Sequence, residues 1–403
     1  MKHFTLSIRL LAISLLVSIS MQAQIDMQLS QESTEGRKAY SAYQAKQKAY
    51  YTGNYTPEAL RAAKNGQLFA LLNKLMETIK LDQSGFSYNS LRYKYVDVDR
   101  DLNTSGRIIG YYDGMSLSGD WDPNNNYNRE HTWPQSKGAD KGTCMGYDMQ
   151  SVRPSNVKVN SARGNTAYGE SSGYYNPDDV AINNSYYKTI NRGTYKGDAA
   201  RVIIYDYIVY GEMDGNKNRM YSGNAQLLEK LGESGVFESL EVLLKWHMQD
   251  PPSLTEMVRN DGAQTYQGNR NPFIDYPELA INMLLSKLKN VRTVTLNGNV
   301  EMAPAYTNTL PTGFVCFLNN ADGTHPDKVD VTGAKAEYEA SIGRLTVTNV
   351  TANMTITVAG SPSAVEDVDA TLARPRKIIR NGQILILMPN GETYNVAGVR
   401  VKD

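Results

Sequence analysis

Apolar residues recur at helical spacing over residues 56–80, at Leu60, Leu68, Leu71, Leu72, Leu75 and Ile79. Thr56-Pro57 supplies a hydroxyl to cap that helix and a proline for its first turn. Residues 198–212, DAARVIIYDYIVYGE, read as a buried helix opened by Asp198, and residues 224–248 and 277–289 as further helices. Between them, residues 98–197 are polar and rich in Gly, Asn and Tyr, a composition that suits loops around a short functional element.

The period changes near residue 291. Residues 344–358, RLTVTNVTANMTITV, alternate in a strand pattern, with Leu345, Val347, Met354, Ile356 and Val358 on one face. They predict a small β sandwich or part of one. Residues 360–376 hold Gly, Ser, Pro and acidic residues without a sustained period, and 361–376 read as a linker. Residues 377–403 read as a β tail, because Ile384–Leu387 lies between the hairpin signals Asn381-Gly382 and Asn390-Gly391. The fold class expected is α+β: a first domain over 24–290, a small all-β domain over 291–360, a linker, and a β-hairpin tail.

Residues 1–23 form the remaining segment. Lys2, His3 and Arg9 precede an apolar run from Leu10 to Ile19 that is short for a membrane span, and Ala23 suits a cleavage point. A signal peptide is expected, and with it a secreted or cell-surface protein with no transmembrane segment. Lys plus Arg and Asp plus Glu both number 42, so the formal net charge is zero. That balance argues against a nucleic-acid coat protein but allows an enzyme with a local basic cleft. Two cysteines, Cys144 and Cys316, exclude a disulfide scaffold, and two unpaired thiols are expected.

The chemistry concentrates in YNREHTWPQS, residues 127–136, and DMQSVRPSNVKVNSARGN, residues 148–165. Hydrolysing a phosphodiester requires an activated water and neutralisation of charge on the phosphoryl and leaving oxygens. Histidine suits the first task, with an ordinary pKa of roughly 6.5. One hard divalent cation suits the second and takes oxygen ligands. His131 is the candidate base, and Glu130 and Asn160 are the candidate metal ligands. Asn156, Asn160 and Arg163 share a face if their segment is helical, with Ser155 as a candidate cap. The implied unit is a strand carrying His131, a second strand near 147–153, and a helix over 155–165. Glu130 and His131 are adjacent, so on a regular strand they point to opposite sides. A structural alternative stands beside each role: a packed histidine next to Trp133, a solvated Glu130, turn-capping asparagines, and a surface ion pair for Arg163. Tyr168, Tyr174, Tyr175, Tyr186 and Tyr187 read as packing rather than base-stacking residues.

These segments resemble the endonuclease I family of secreted and periplasmic bacterial nucleases. The matching stretches are NREHTWPQSKG (128–138), the 148–165 segment, GDAARVIIYDYIVYG (197–211), LLKWHMQDPPSLTEMVRN (243–260) and QGNRNPFIDYPELA (267–280), all in family order. The resemblance implies a ββα-metal nuclease core surrounded by helices. It implies His131 as general base, Glu130 and Asn160 as ligands of Mg²⁺ (with Mn²⁺ or Ca²⁺ as alternatives), and Arg163 as a phosphate contact. Lys137, Lys141, Arg153 and Asn156 are the further candidates for substrate contact. The chain departs from the family at Gln150-Ser151, and disulfides of some members have no counterpart. The tail over 377–403 resembles, more weakly, type IX secretion sorting segments, which implies outer-membrane secretion machinery as a partner. The resulting expectation is a secreted, monomeric, Mg²⁺-dependent endonuclease acting on DNA, and on RNA as a further substrate, with little sequence specificity. The alternatives are a noncatalytic surface-binding protein with a decayed nuclease core and a member restricted to RNA.

Overall fold

The computed structural model describes residues 34–81, 85–121, 127–179, 195–210 and 235–359, together with strands between 376 and 401. The predicted signal peptide and residues 361–375 of the predicted linker lie outside the described residues. The chain divides into two compact units, one ending at Ala359 and one covering Gly360–Asp403.

The first unit begins with helices α1 (Thr34–Tyr50), α2 (Pro57–Ala62), α3 (Asn65–Leu75) and α4 (Tyr95–Val98). Two short hairpins follow, β1 (Arg107–Ile109) with β2 (Ser116–Ser118), and β3 (Tyr127–His131) with β4 (Val152–Asn156). Next come α5 (Val157–Arg163), α6 (Lys196–Tyr210), α7 (Leu240–Gln249), α8 (Leu254–Gln267), α9 (Pro272–Asp275) and α10 (Glu278–Leu284). The helix read over 56–80 is divided. Thr56 accepts a hydrogen bond from the Ala59 N–H at 3.3 Å, with Pro57 in the first turn, as its sequence suggests. Ala63 and Lys64 are then extended and Asn65 is left-handed, at φ 50°. Asparagine enters that region more readily than most residues, so the chain turns there before α3 begins.

Helix α6 is buried along its length except at Lys196. An all-round buried helix belongs in a core, and its charged residues then need partners. Arg153 donates to Asp198 at 2.9 Å, Arg201 meets Glu256 at 2.6 Å, and the Ser151 hydroxyl donates to Asp206. Asp148 accepts from the Tyr205 and Tyr210 hydroxyls, from Gln267 Nε2 and from the Gln150 N–H, each at 2.7 Å. These bonds fix the approach to β4 against α6 and α8. Helix α8 carries a Ser253–Glu256 capping box, and Glu256 is also the partner of Arg201.

Strands β5 (Arg292–Asn297), β6 (Val300–Ala303), β7 (Asn308–Thr309), β8 (Phe314–Asn320), β9 (Lys328–Thr332), β10 (Lys335–Glu339), β11 (Arg344–Thr348) and β12 (Met354–Ala359) complete this unit. They form two four-stranded sheets, ordered β10-β11-β8-β6 and β7-β5-β12-β9. The alternating run over 344–358 is two strands in different sheets, parted near the left-handed Asn349 at φ 48°. Its apolar face is buried as the alternation predicted: Leu345, Val347, Met354, Ile356 and Val358 join one hydrophobic cluster with Leu243, Leu244 and Trp246. Gln249 on α7 also donates to the Thr312 carbonyl at 2.7 Å. The change of texture at residue 291 is therefore a change of secondary structure within one packed unit.

The second unit is an antiparallel meander of β13 (Arg376–Arg380), β14 (Gln383–Leu387), β15 (Thr393–Asn395) and β16 (Arg400–Val401). Arg380 pairs with Gln383, which leaves the two residues Asn381-Gly382 as the connection. Both cysteines are buried free thiols, and no helix among the described residues is long and apolar enough to cross a membrane.

His247 on α7 is fully buried and donates from Nε2 to the Pro277 carbonyl at 2.8 Å, while Nδ1 is buried without a partner. Desolvation, with the Arg201 charge adding to it, lowers its pKa to about 3. The unfolded chain therefore binds a proton near pH 6.5 that the folded chain refuses until about pH 3. This contribution is fully present above pH 6.5 and is lost as pH falls toward 3. Relative to His247→Gln, the wild-type protein should lose roughly 1.4 kcal/mol per pH unit across that window in urea titrations.

Candidate active site

β3 and β4 are antiparallel, with Glu130 opposite Arg153 and His131 opposite Val152. α5 follows β4 directly, giving a strand–strand–helix corner. The second strand lies further along than the 147–153 expected from sequence, and it includes Pro154, which a two-stranded ribbon tolerates because its missing N–H need not enter a ladder. Asn156, not Ser155, caps the helix: its side-chain oxygen accepts from the Lys158 N–H at 2.9 Å. Asn128 and Glu130 lie on one face of β3 and His131 on the other, as the two-residue period of a strand requires.

His131 is 4% exposed. Its Nε2 is 3.0 Å from the Gly146 carbonyl oxygen, and its Nδ1 is 3.2 Å from Gln135 Nε2. A carbonyl only accepts, so Nε2 carries the hydrogen and Nδ1 presents a lone pair. Gln135 is exposed, so that lone pair faces a side chain at the surface. The Tyr88 ring stacks on the imidazole at 5.4 Å. Desolvation lowers the His131 pKa to about 4, which leaves the ring neutral at pH 7.

Glu130 is 3% exposed, and its Oε1 accepts from the Tyr112 hydroxyl at 2.7 Å and lies 3.3 Å from Arg163 Nη1. Burial pushes its carboxyl above the ordinary range, against the pull of Arg163 and the Tyr112 bond. The Tyr112 hydroxyl also bonds that of Tyr168, over whose ring the Arg163 guanidinium sits at 4.6 Å. Arg163 donates to the carbonyls of His131 at 3.1 Å, Thr132 at 2.9 Å and Gly164 at 3.2 Å. It was expected to contact phosphate. It is instead buried, with its Nη atoms turned to the strand that carries Glu130 and His131.

Asn160 is half-buried on α5 and donates from Nδ2 to Asn128 Oδ1 at 2.5 Å. With the amide nitrogen held on Asn128, the carbonyl oxygen is the atom left to bind a cation. A carboxylate and an amide oxygen are a hard donor set that fits Mg²⁺ or Mn²⁺ with water completing the shell. No cluster of three or more His, Cys, Asp or Glu offers another metal site among the described residues.

The remaining substrate candidates differ in access. Arg153 is buried against Asp198 with its guanidinium 4.1 Å from the Tyr111 ring, so it braces the fold. Asn156 is engaged as the helix cap. Lys137 is half-buried and donates to the Gly235 carbonyl, whereas Lys141 is exposed. Tyr168 is buried, in line with a packing role, and Tyr186 and Tyr187 lie outside the described residues. The sequence reading did not single out Tyr88, Tyr112, Asn128, Gln135 or Gly146. Asn128 and Gln135 stand within the recognised REH segment, two residues before Glu130 and four after His131. Spacing alone could have nominated them.

The family model described as Endonuclease I matches residues 68–278, which contain every candidate discussed. An extracellular ribonuclease of Bacillus subtilis (strain 168) is 34% identical over 209 residues, covering 48% of this chain and 67% of that protein. An extracellular ribonuclease of Bacillus amyloliquefaciens is 32% identical over 231 residues, covering 54% and 74%.

Arg163 holds Glu130, the His131 carbonyl and the Thr132 carbonyl at once, so Arg163→Met should destabilise the protein by about 3–5 kcal/mol in chemical denaturation. Adding Glu130→Gln should recover part of that loss in a double-mutant cycle, because the unpaired buried carboxylate is removed. A simple phosphate contact would instead leave stability unchanged and raise KM.

Proposed function

The chain belongs to the endonuclease I family, and from that premise we propose that it is a secreted, metal-dependent endonuclease that hydrolyses phosphodiester bonds with little sequence specificity. RNA is a substrate in this reading, by likeness to the two extracellular ribonucleases, and DNA is the second. The supporting observation is the defined tautomer of His131, whose Nε2–H is held by the Gly146 carbonyl while Nδ1 faces the exposed Gln135.

In the proposed reaction, Nδ1 of neutral His131 takes the proton of the attacking water. The Gly146 carbonyl keeps the ring oriented and stabilises the imidazolium that results, since Nε2–H points at it throughout. Glu130 and Asn160, on the side of β3 opposite the imidazole, are the residues that would hold Mg²⁺. When bound, the cation supplies Lewis-acid neutralisation of charge on the phosphoryl and leaving oxygens. Arg163 acts by positioning: it ties the strand end bearing His131 to the helix bearing Asn160. Tyr112 orients the Glu130 carboxylate from the other side.

His131→Ala should cut turnover on plasmid DNA and total RNA by about 10²–10⁴-fold, with Mg²⁺ affinity by calorimetry nearly unchanged. Glu130→Ala and Asn160→Ala should weaken Mg²⁺ binding, and excess Mg²⁺ should restore part of their rate. Chelator should abolish cleavage by the wild type. A folded His131→Ala protein with full activity would overturn the proposal.

We further propose that the meander between 376 and 401 serves export to the cell surface or medium, together with a signal peptide over 1–23. Deleting residues 377–403 should misplace the protein while lysate activity persists. Unchanged abundance outside the cell would refute this role.

A further inference from the structure

Beside His131, on the face away from Glu130, lies a row of aromatic rings and guanidinium groups in alternation. The Tyr88 ring stacks on the imidazole at 5.4 Å. The Arg129 guanidinium lies 3.7 Å from the Tyr88 ring and 5.1 Å from the Trp121 ring. The Arg92 guanidinium lies 5.3 Å from the Trp121 ring and 4.7 Å from the Tyr93 ring. The row thus runs His131, Tyr88, Arg129, Trp121, Arg92, Tyr93. It is assembled from the 3-10 turn at Leu91–Tyr93, the residues after β2, and β3 itself.

Three features distinguish this row from ordinary packing. Tyr93 is 63% exposed, the highest value among the exposed large hydrophobic side chains of the described residues. Among the described residues, the hydrogen bonds of the two guanidinium groups go to the Tyr88 carbonyl, the Asn89 carboxamide and the Tyr93 hydroxyl, and none goes to a carboxylate. The row also begins on the proposed base, so a chain lying along it would bring a phosphate toward His131. The exposed Tyr93 ring offers a π face to a base of any identity, while the guanidinium groups beneath it, seated on the Trp121 and Tyr88 rings, are placed to meet the phosphates. A duplex keeps its bases stacked on one another and presents no free faces to such a surface.

We propose that Tyr93, backed by Arg92, Trp121, Arg129 and Tyr88, is a stacking platform for unpaired bases, and that it makes single-stranded nucleic acid the preferred substrate. The inference rests on the nuclease reading for the meaning of His131, but the platform can be tested without cleavage. The full secreted chain is titrated, in chelator, with short fluorescent single strands of DNA and of RNA and with a blunt DNA duplex. Tyr93→Ala should weaken binding of both single strands on the order of tenfold, and binding of the duplex much less. Tyr93→Phe, which keeps the ring, should retain most of the affinity. Single strands should also quench the fluorescence of Trp121, since Trp133 and Trp246 are both 1% exposed, and Trp121→Phe should remove that quench. Unchanged single-strand affinity in Tyr93→Ala overturns the platform. So does an equal loss on duplex, or a loss in Tyr93→Phe as large as in Tyr93→Ala. Loss confined to one kind of single strand would restrict the preference to that nucleic acid. Binding as expected without cleavage in Mg²⁺ would leave the platform standing and refute the nuclease reading instead.

Discussion

The buried guanidinium of Arg163 is the contact on which the geometry of the site depends. It is 1% exposed and must satisfy a fork of donors away from water. Two of its acceptors are the carbonyls of His131 and Thr132, at the end of β3, and its charge is met by Glu130 on the same strand. Because Arg163 closes helix α5, this one side chain fixes the helix against the strand. Lysine could not replace it, having a single ammonium where three groups in different directions must be bonded.

The corner itself is small, and a two-stranded ribbon has little stability alone. Its support comes from buried polar groups rather than from an apolar face only. Asp148 gathers two tyrosine hydroxyls, a glutamine amide and a backbone N–H just before β4. Arg259 joins Asp99 at 2.8 Å and the Val152 carbonyl at 3.0 Å, and so grips β4 from α8. Such networks are costly when incomplete, and here each removes freedom from the strand paired with the one that carries His131. The helices surrounding the corner act as a rigid frame for a few side chains.

Much of this was legible in the chain. The Glu-His pair and the Asn-x-x-Arg spacing located the corner, because strand and helix periods place those residues on defined faces. The Thr56 cap and the buried face over 345–358 also followed from local rules. Other features depend on contacts distant in sequence. Arg163 and Arg153 read as candidate substrate contacts, since nothing near them in the chain shows that Glu130 and Asp198 come to meet them in the interior. The break at Asn65 was present as a Lys-Asn-Gly turn signal, but the strong leucine period on both sides concealed it. The row from Tyr88 to Tyr93 and Trp121 drew no notice because its members alternate only in space.

The zero net charge of the chain and a polyanionic substrate are compatible for a specific reason. Many of the arginines are consumed within the fold: Arg153, Arg163, Arg201, Arg259 and Arg270 are all buried beside carboxylates. They contribute nothing to a surface potential. In the proposed reading, attraction comes from exposed cations such as Lys141 and from groups like Arg92 and Arg129 that sit on rings. A protein built this way gains little from long-range steering, and salt screens what there is. Binding on the proposed platform would still answer to salt through the phosphates that the arginines meet, and the Tyr93 face would supply the part of it that needs no long-range field.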